Sequence, residues 1–523
     1  MDRIRLVAFV ALAVAVIWAC FFSGIGNLGL VGPDEPRYAW VAREMAESGD
    51  WVTPRLYGKP WFEKPPLYYW AAAIRFRTFG VSEFTARLPS GQTAVLATLV
   101  LTLAAWRFYG AATARVVLLM FPTCVGVFGF ARAATTDMMF SAFLSIAMVC
   151  AAVLLGFPRE NRPRRYWLLL FGTSLAFATL AKGPAALVLA GGSVALWTLV
   201  TRRWKDAFRL TYPSAVITFL VVAVPWYVLC ALRNPEFVQT FLISHNIERY
   251  LTPVFQHEQP AWFYGPILLL GLVPWTPLLL GVAADGWRRW REGALPDSTG
   301  FFFGCWILFP LLFFAFSKSK LPGYILPVFP ALVLLMARSV TRAIKEKRAA
   351  ASWLVAGVGA TLVALGASAG YWNRRLPPEA GLGGTGQLMP WVLAAVAGGV
   401  FIALLAVAGR HRFALAVSSV ALAGFVTATS FGVLPRIDAH LSPRTAAQLA
   451  GDDGAPLYVF RLHRAWHYGL NFYLHQELPV WESNKAPARI YTTRAGLAEL
   501  EKLGVRFTVV RDVTRQAVLV RVD

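Results

Sequence analysis

The sequence predicts a polytopic α-helical membrane protein that carries a small α/β domain at its C-terminal end. Three observations predict it: an apolar composition, basic clusters that recur at alternate loops, and a change of character after Leu434. Of 523 residues, 57% are hydrophobic and 15% charged, with a mean hydropathy of +0.53. That is too apolar for a soluble chain of this length. The net charge of +22 would point to nucleic acid in a soluble protein. Here the arginines sit in short clusters between apolar runs, which is a topology signal, and no nucleic-acid partner is expected.

Apolar runs long enough to span a bilayer give about thirteen spans. They centre near residues 14, 97, 121, 146, 173, 192, 222, 272, 308, 330, 361, 398 and 422. The first, Leu6 to Phe22, has the look of a signal segment, and Ala19-Cys20 faintly resembles a lipoprotein cleavage site. Trp18 argues against cleavage, and at about 17 residues the run can span, so it reads as a retained helix. All five cysteines lie in apolar runs without a CxxC pair, so neither a disulfide framework nor a thiolate metal site is indicated.

Taken alternately, the loops fall into two sets. Met1 to Arg5, Arg107 to Arg115, Pro158 to Arg165, Thr201 to Arg209, Asp285 to Glu292, Ala337 to Arg348 and Gly409 to Arg412 are short and basic. The positive-inside rule makes these cytoplasmic, with the N-terminus inside and the C-terminus outside. The other set collects the acids and bases of interest: the loop 32–80, Arg132 with Asp137, Lys182, the stretch Arg233 to Trp262, Ser317 to Tyr324, and Tyr371 to Pro390. The division expected is a membrane domain over 1–434 and an α/β domain over 435–523. In the latter LYVFRL, LPVW, RFTVV and AVLVRV read as strands, and WHYGLNFYLHQ and TTRAGLAELEKLG as helices.

Within the loop, Asp34 or Glu35 followed by Pro36 starts a helix that runs to a Ser48-Gly49 stop. Its apolar positions 38, 41, 42 and 45 predict an amphipathic helix along the membrane surface. A second interfacial helix is expected over Leu67 to Phe79, after the Pro65-Pro66 breaker.

DEPRYA (Asp34 to Ala39), SGDW (Ser48 to Trp51) and WFEKPPLYYW (Trp61 to Trp70) are followed in order by ARAATTDMMF, AKGP, HNIERY, HEQPAWFYG and SKSKLPGYILPVFP. Together they resemble the lipid-carrier-dependent glycosyltransferases of the GT-C class. That class includes the protein mannosyltransferases and, in this arrangement, the aminoarabinose transferases that modify lipid A. The resemblance implies a bacterial inner-membrane enzyme with its site on the periplasmic face. It would take a sugar from undecaprenyl phosphate, invert the anomeric carbon, and place the sugar on lipid A or another acceptor. Neither a dinucleotide fingerprint nor a P-loop is present, as suits an enzyme without a nucleotide-sugar donor.

For Asp34 two readings stand, a helix N-cap or a carboxylate that orients the acceptor and stabilises positive charge at the anomeric carbon. The resemblance favours the second, with Glu35 and Arg37 as further cavity residues. Asp137 is a helix cap, a partner of Arg132, or, by the resemblance, a site residue allied with the first-loop arginine and Asp34. Lys64, Arg249 and Tyr324 suit the donor phosphate, whose charge grows as the glycosidic bond breaks; otherwise Lys64 pairs with Glu63 and Arg249 is a surface charge. Lys182, Lys318 and Lys320 draw in an anionic headgroup or anchor helix ends. The resemblance also implies a divalent metal, zinc or magnesium, at Glu63 with His245 or His257. The competing function class, a transporter of lipid-linked anions, predicts charges spread through the midplane and internal repeats, and neither is visible.

Overall fold

The computed structural model describes residues 3–157, 165–252, 258–294, 298–373, 385–451, 454–482, 486–514 and 516–522. Among them nine helices are long and apolar enough to cross a membrane, ten when Ala111–Met120 and Val125–Ala131, bent by 59°, count as one. All thirteen expected centres fall on a helix or at the break within one. The three that fall short of a full span do so for local reasons. Arg165–Lys182 carries a cation at each end, Ala185–Thr201 has only 17 residues, and the run around 272 is broken into Tyr264–Gly271 and Leu278–Arg291.

Burial sorts the bundle into centre and rim. Helix Asp137–Leu154 is 89% buried and Pro322–Lys345 83%, whereas Pro213–Arg233 and Met389–Val407 are 22% buried. The rim helices expose Val, Leu and Ile, for example Ile217 and Val221, as lipid contact requires. The central helices therefore place Asp137 and Tyr324 at the heart of one end of the bundle.

Over that end lies the loop. Helix Asp34–Ser48 ends at Gly49, φ 73°, and helix Leu67–Phe79 follows Pro66, both as expected. Between them a two-residue turn at Tyr57 and Gly58, both at positive φ, joins the strands Arg55–Leu56 and Lys59–Pro60; this is the conformation tight hairpins favour. The apolar stripe of the first helix is buried against protein. Tyr38, Val41, Ala42 and Met45 are at most 3% exposed, and Tyr38 packs on Tyr68 and Tyr69.

Glu35 anchors this loop to the bundle. Its carboxylate accepts from Arg87 Nε at 2.9 Å and Nη2 at 2.7 Å, and from the backbone N–H of Val31 and Ala134. Arg87 also donates to the carbonyls of Ile25, Leu28 and Gly29. Both side chains are at most 5% exposed, and the pair is satisfied on all sides, which a buried ion pair needs.

The C-terminal domain has strands Leu457–Val459, Ala488–Thr492, Ala517–Val522 and Phe507–Thr514 side by side in that order. The first pair is parallel and the others antiparallel. LPVW, expected as a strand, makes only one bridge, Val480 to Val459. The central strand Ala488–Thr492 went unpredicted because Arg489 interrupts its apolar run; that side chain is absorbed by the carbonyls of Ala450, Gly451 and Ala455. The helices Arg464–Leu474 and Arg494–Lys502 agree with the reading.

This domain is pinned to the loop root. Tyr473 Oη accepts from Leu30 N–H at 2.7 Å and donates to Glu83 at 3.0 Å, while Arg444 links Glu83 and Asp438. Gly29 lets the backbone approach, since a Cβ there would lie 2.1 Å from Ser442 Oγ.

Arg87→Ala leaves Glu35 charged and buried without its partner, so it is expected to cost about 3–5 kcal/mol. A lowered heat-unfolding midpoint in detergent checks this. Glu35→Gln combined with Arg87→Met should cost less than the single change, because no charge is stranded.

Candidate active site

The site begins with Asp34, the first residue of its helix. The residue before it, Pro33, makes no side-chain cap. Asp34 instead pairs with Arg37 one turn on, and its side chain remains 43% exposed. Arg37 is held hard: Nη1 donates to Glu63 at 3.0 Å and Nε to the Pro33 carbonyl at 2.8 Å. Its guanidinium lies between the rings of Trp61 and, from the C-terminal domain, Tyr468, at 5.5 and 5.3 Å. Cation–π contact of this kind favours charge over an aromatic face.

Glu63 is the hub. Besides Arg37 it meets Arg249 at 3.6 Å and Lys64 at 3.7 Å. Burial alone would raise its carboxyl, but Lys64, Arg37 and Arg249 together outweigh that and hold it at about 2. The same burial, reinforced by Arg249, pushes Lys64 down to about 8. Arg249 comes from the end of a wide π-type helix, Val238–Glu248, a geometry frequent at functional sites. Burial also lowers His245 on that helix, against the opposing pull of Glu63.

From Arg249 the network crosses to the bundle. The Tyr324 hydroxyl adjoins the Arg249 guanidinium, and Lys182 Nζ stands 4.9 Å from the Tyr324 ring centre. Lys182, the last residue of its helix, ion-pairs with Asp137. Tyr324 sits in the short 3₁₀ turn Pro322–Val328, brought close by Gly323, where a Cβ would lie 2.6 Å from Asp137 Oδ1. Asp34, Arg37, Glu63, Lys64, Arg249, Tyr324, Lys182 and Asp137 thus form one connected belt.

Other expectations are corrected. Asp137 takes Lys182 rather than Arg132 or Arg37, and its preceding residue makes no side-chain cap. Arg132 donates instead to the carbonyls of Cys20 and Ser23 and to Ser430 Oγ. Glu35 turns away from Asp34 to bind Arg87. Lys320 is 7% exposed and donates to the Ser317 carbonyl at 2.5 Å, which makes it a local brace; Lys318 is exposed. Arg87 and Tyr468 were missed. A cation just inside the span Glu83–Tyr109 is a signal for the first, and nothing local marks the second.

For a metal, the donors present do not fit. Glu63 already carries three cations, which a dication would have to displace, and zinc ordinarily takes three or four protein ligands. Among the described residues no group of three or more His, Cys, Asp or Glu could hold an ion. His257 lies outside the described residues.

Comparison with known proteins agrees with this architecture. Residues 6–241 match the family described as dolichyl-phosphate-mannose-protein mannosyltransferase. The fold superposes on the crystal structure of ArnT from Cupriavidus metallidurans bound to undecaprenyl phosphate, with a TM-score of 0.77 and 26% identity, covering 100% of this chain and 98% of that one. The fold is therefore that of the GT-C glycosyltransferases. Within it, the chain is 35% identical over 311 residues to the undecaprenyl phosphate-alpha-4-amino-4-deoxy-L-arabinose arabinosyl transferase of Edwardsiella ictaluri, matching 59% of this chain and 55% of that protein. To the enzyme of the same description from Yersinia enterocolitica it is 35% identical over 333 residues, 62% and 59%. The match thus spans little more than half the length of these curated relatives. The chain is thus similar to the GT-C glycosyltransferases, and over its matched part to the aminoarabinose transferases among them.

Because the folded carboxyl of Glu63 titrates below its ordinary 4.5, the stability it contributes is complete above that pH and is lost as pH falls toward about 2. Unfolding midpoints measured down this range should drop in the wild type, with a smaller drop in Glu63→Gln.

Proposed function

We propose that this protein is an inverting glycosyltransferase that moves 4-amino-4-deoxy-L-arabinose from undecaprenyl phosphate to a phosphate of lipid A, at the periplasmic face of a bacterial inner membrane. The observation that carries the reading is the charge of the belt. Four cations, Arg37, Lys64, Lys182 and Arg249, stand against three carboxylates, Asp34, Glu63 and Asp137, which leaves a positive charge for an anionic ligand to complete. The same belt presents a partly exposed carboxylate, Asp34, at its edge.

In the reaction, an acceptor oxygen forms a bond to the anomeric carbon while the bond from that carbon to the phosphate oxygen breaks. The electron pair leaves with the phosphate. Lys64 and Arg249 neutralise the charge growing there, and the Tyr324 hydroxyl donates to it. Asp34 lies on the acceptor side, where it orients the nucleophile and stabilises the oxocarbenium-like carbon. A phosphate acceptor is already ionised at neutral pH, so Asp34 positions it and removes no proton. With a hydroxyl acceptor on a protein or glycan, the same carboxylate would take the proton.

The test is reconstitution with labelled undecaprenyl-phosphate aminoarabinose and lipid A. The wild type is expected to transfer label. Asp34→Asn should lose about 10²-fold or more of the rate, and Lys64→Ala and Arg249→Ala should raise the KM for donor. Wild-type protein inactive with every polyprenyl-phosphate sugar and acceptor tried would overturn the reading. In cells, deletion should increase polymyxin sensitivity, since lipid A would retain negative charge.

A pH dependence follows from Lys64. Its ammonium is present below about 8 and lost above, so affinity for undecaprenyl phosphate should weaken as pH rises through that value. Lys64→Arg, which stays charged, should flatten the profile in a binding titration.

A further inference from the structure

Asp34 also borders a cavity of about 380 Å³, within the roughly 300–1,000 Å³ of small-molecule sites. Asp34 and Arg132 line it, together with apolar walls from Ile25, Leu28 and Val31. Arg37, Lys64 and Arg249 are absent from its lining. Asp34 is therefore the group shared by the belt and the cavity.

Two carboxylates and two guanidiniums line the cavity, but they do not all pair off with one another. Asp34 is matched by Arg37 and Glu35 by Arg87, which leaves Arg132. It donates to two backbone carbonyls and one hydroxyl, and among the described residues it has no carboxylate partner. Three of its five N–H donors are engaged in this way, and among the described residues the rest have no acceptor. Thr135, also in the lining, has a buried side-chain oxygen without a hydrogen-bond partner among the described residues. A guanidinium with unmet charge and open donors, beside a hydroxyl that lacks a partner, is a site for an oxyanion.

We infer that Arg132 recognises the phosphate monoester of the acceptor and holds it in this cavity with one oxygen presented past Asp34 to the anomeric carbon. The inference rests on the transfer reading above and deepens it by assigning the acceptor's charge to a residue. The apolar walls make the phosphate lipid-borne rather than free. Arg132 restrains the acceptor without touching the departing phosphate, so binding of donor and of acceptor depends on different cations.

Two disrupting variants and one restoring variant test it. Arg132→Gln removes the charge, and Arg132→Lys restores it. Gly129→Glu adds a carboxylate to the cavity wall at a position where a Cβ meets nothing within 4 Å, three residues from Arg132 and so within reach of its guanidinium. Binding of lipid A, dephosphorylated lipid A, inorganic phosphate and undecaprenyl phosphate to the full-length protein is measured directly, beside transfer kinetics. Arg132→Gln and Gly129→Glu should each weaken lipid A binding about tenfold or more, with recovery in Arg132→Lys and no change for undecaprenyl phosphate. Dephosphorylated lipid A should bind the wild type weakly and be insensitive to both variants. Equal binding of lipid A with and without phosphate overturns the inference, as does inorganic phosphate competing as strongly as lipid A, or a uniform loss for donor and acceptor alike. Because binding is read apart from turnover, absence of transfer in the wild type would count against the reaction and not against the site.

Discussion

The structure depends on one carboxylate. Glu63 is shared by Arg37, Lys64 and Arg249, side chains from the first surface helix, the loop itself and the π-type segment far along the chain. Cations gathered this closely in a buried place would repel one another and pay for lost hydration. A single buried anion between them makes the assembly stable while leaving it short of negative charge. That shortfall is what the proposed phosphate ester would supply, so the interaction that organises the loop also leaves it open to an anion.

The loop that carries Glu63 is not held by the membrane bundle alone. From within, the Glu35 to Arg87 pair ties it to the span Glu83–Tyr109 and to the backbone at Ala134. From outside, the C-terminal domain closes on it through Tyr473, Arg444 and Asp438, and lays Tyr468 against Arg37. The ring of Tyr468 removes freedom from the guanidinium that bridges Asp34 to Glu63. The terminal domain is therefore part of the site's wall, although it supplies none of the belt's charged groups.

The order of charges along the belt suits the proposed transfer between two anions. Arg37, Lys64 and Arg249 gather around Glu63, with Tyr324 beside Arg249, and of the belt only Asp34 also lines the cavity of Arg132. Neighbouring carboxylates also explain why Asp34 and Asp137 serve differently. Asp137, at the buried end of the central helix and committed to Lys182, fixes the floor of the site. Asp34, paired with Arg37 but still 43% exposed, is the carboxylate that a substrate can reach.

Much of this was legible from residues alone. Hydropathy and breakers act over a few residues, so the helices Asp34–Ser48 and Leu67–Phe79 and all thirteen apolar centres were readable. The belt's members were also named, because acids and bases beside apolar runs are conspicuous. By itself the sequence determined what is local: which segments are helical, which are apolar enough for lipid, and where the ionisable groups lie. Only the tertiary structure decided which charge meets which. Arg37 and Glu63 are 26 residues apart, Lys182 and Asp137 45, Arg87 and Glu35 52. Coulomb energy depends on distance in space and on burial, neither of which spacing along a chain contains. Hence Asp137 took Lys182 instead of Arg132, and the cation left over became the one facing the cavity.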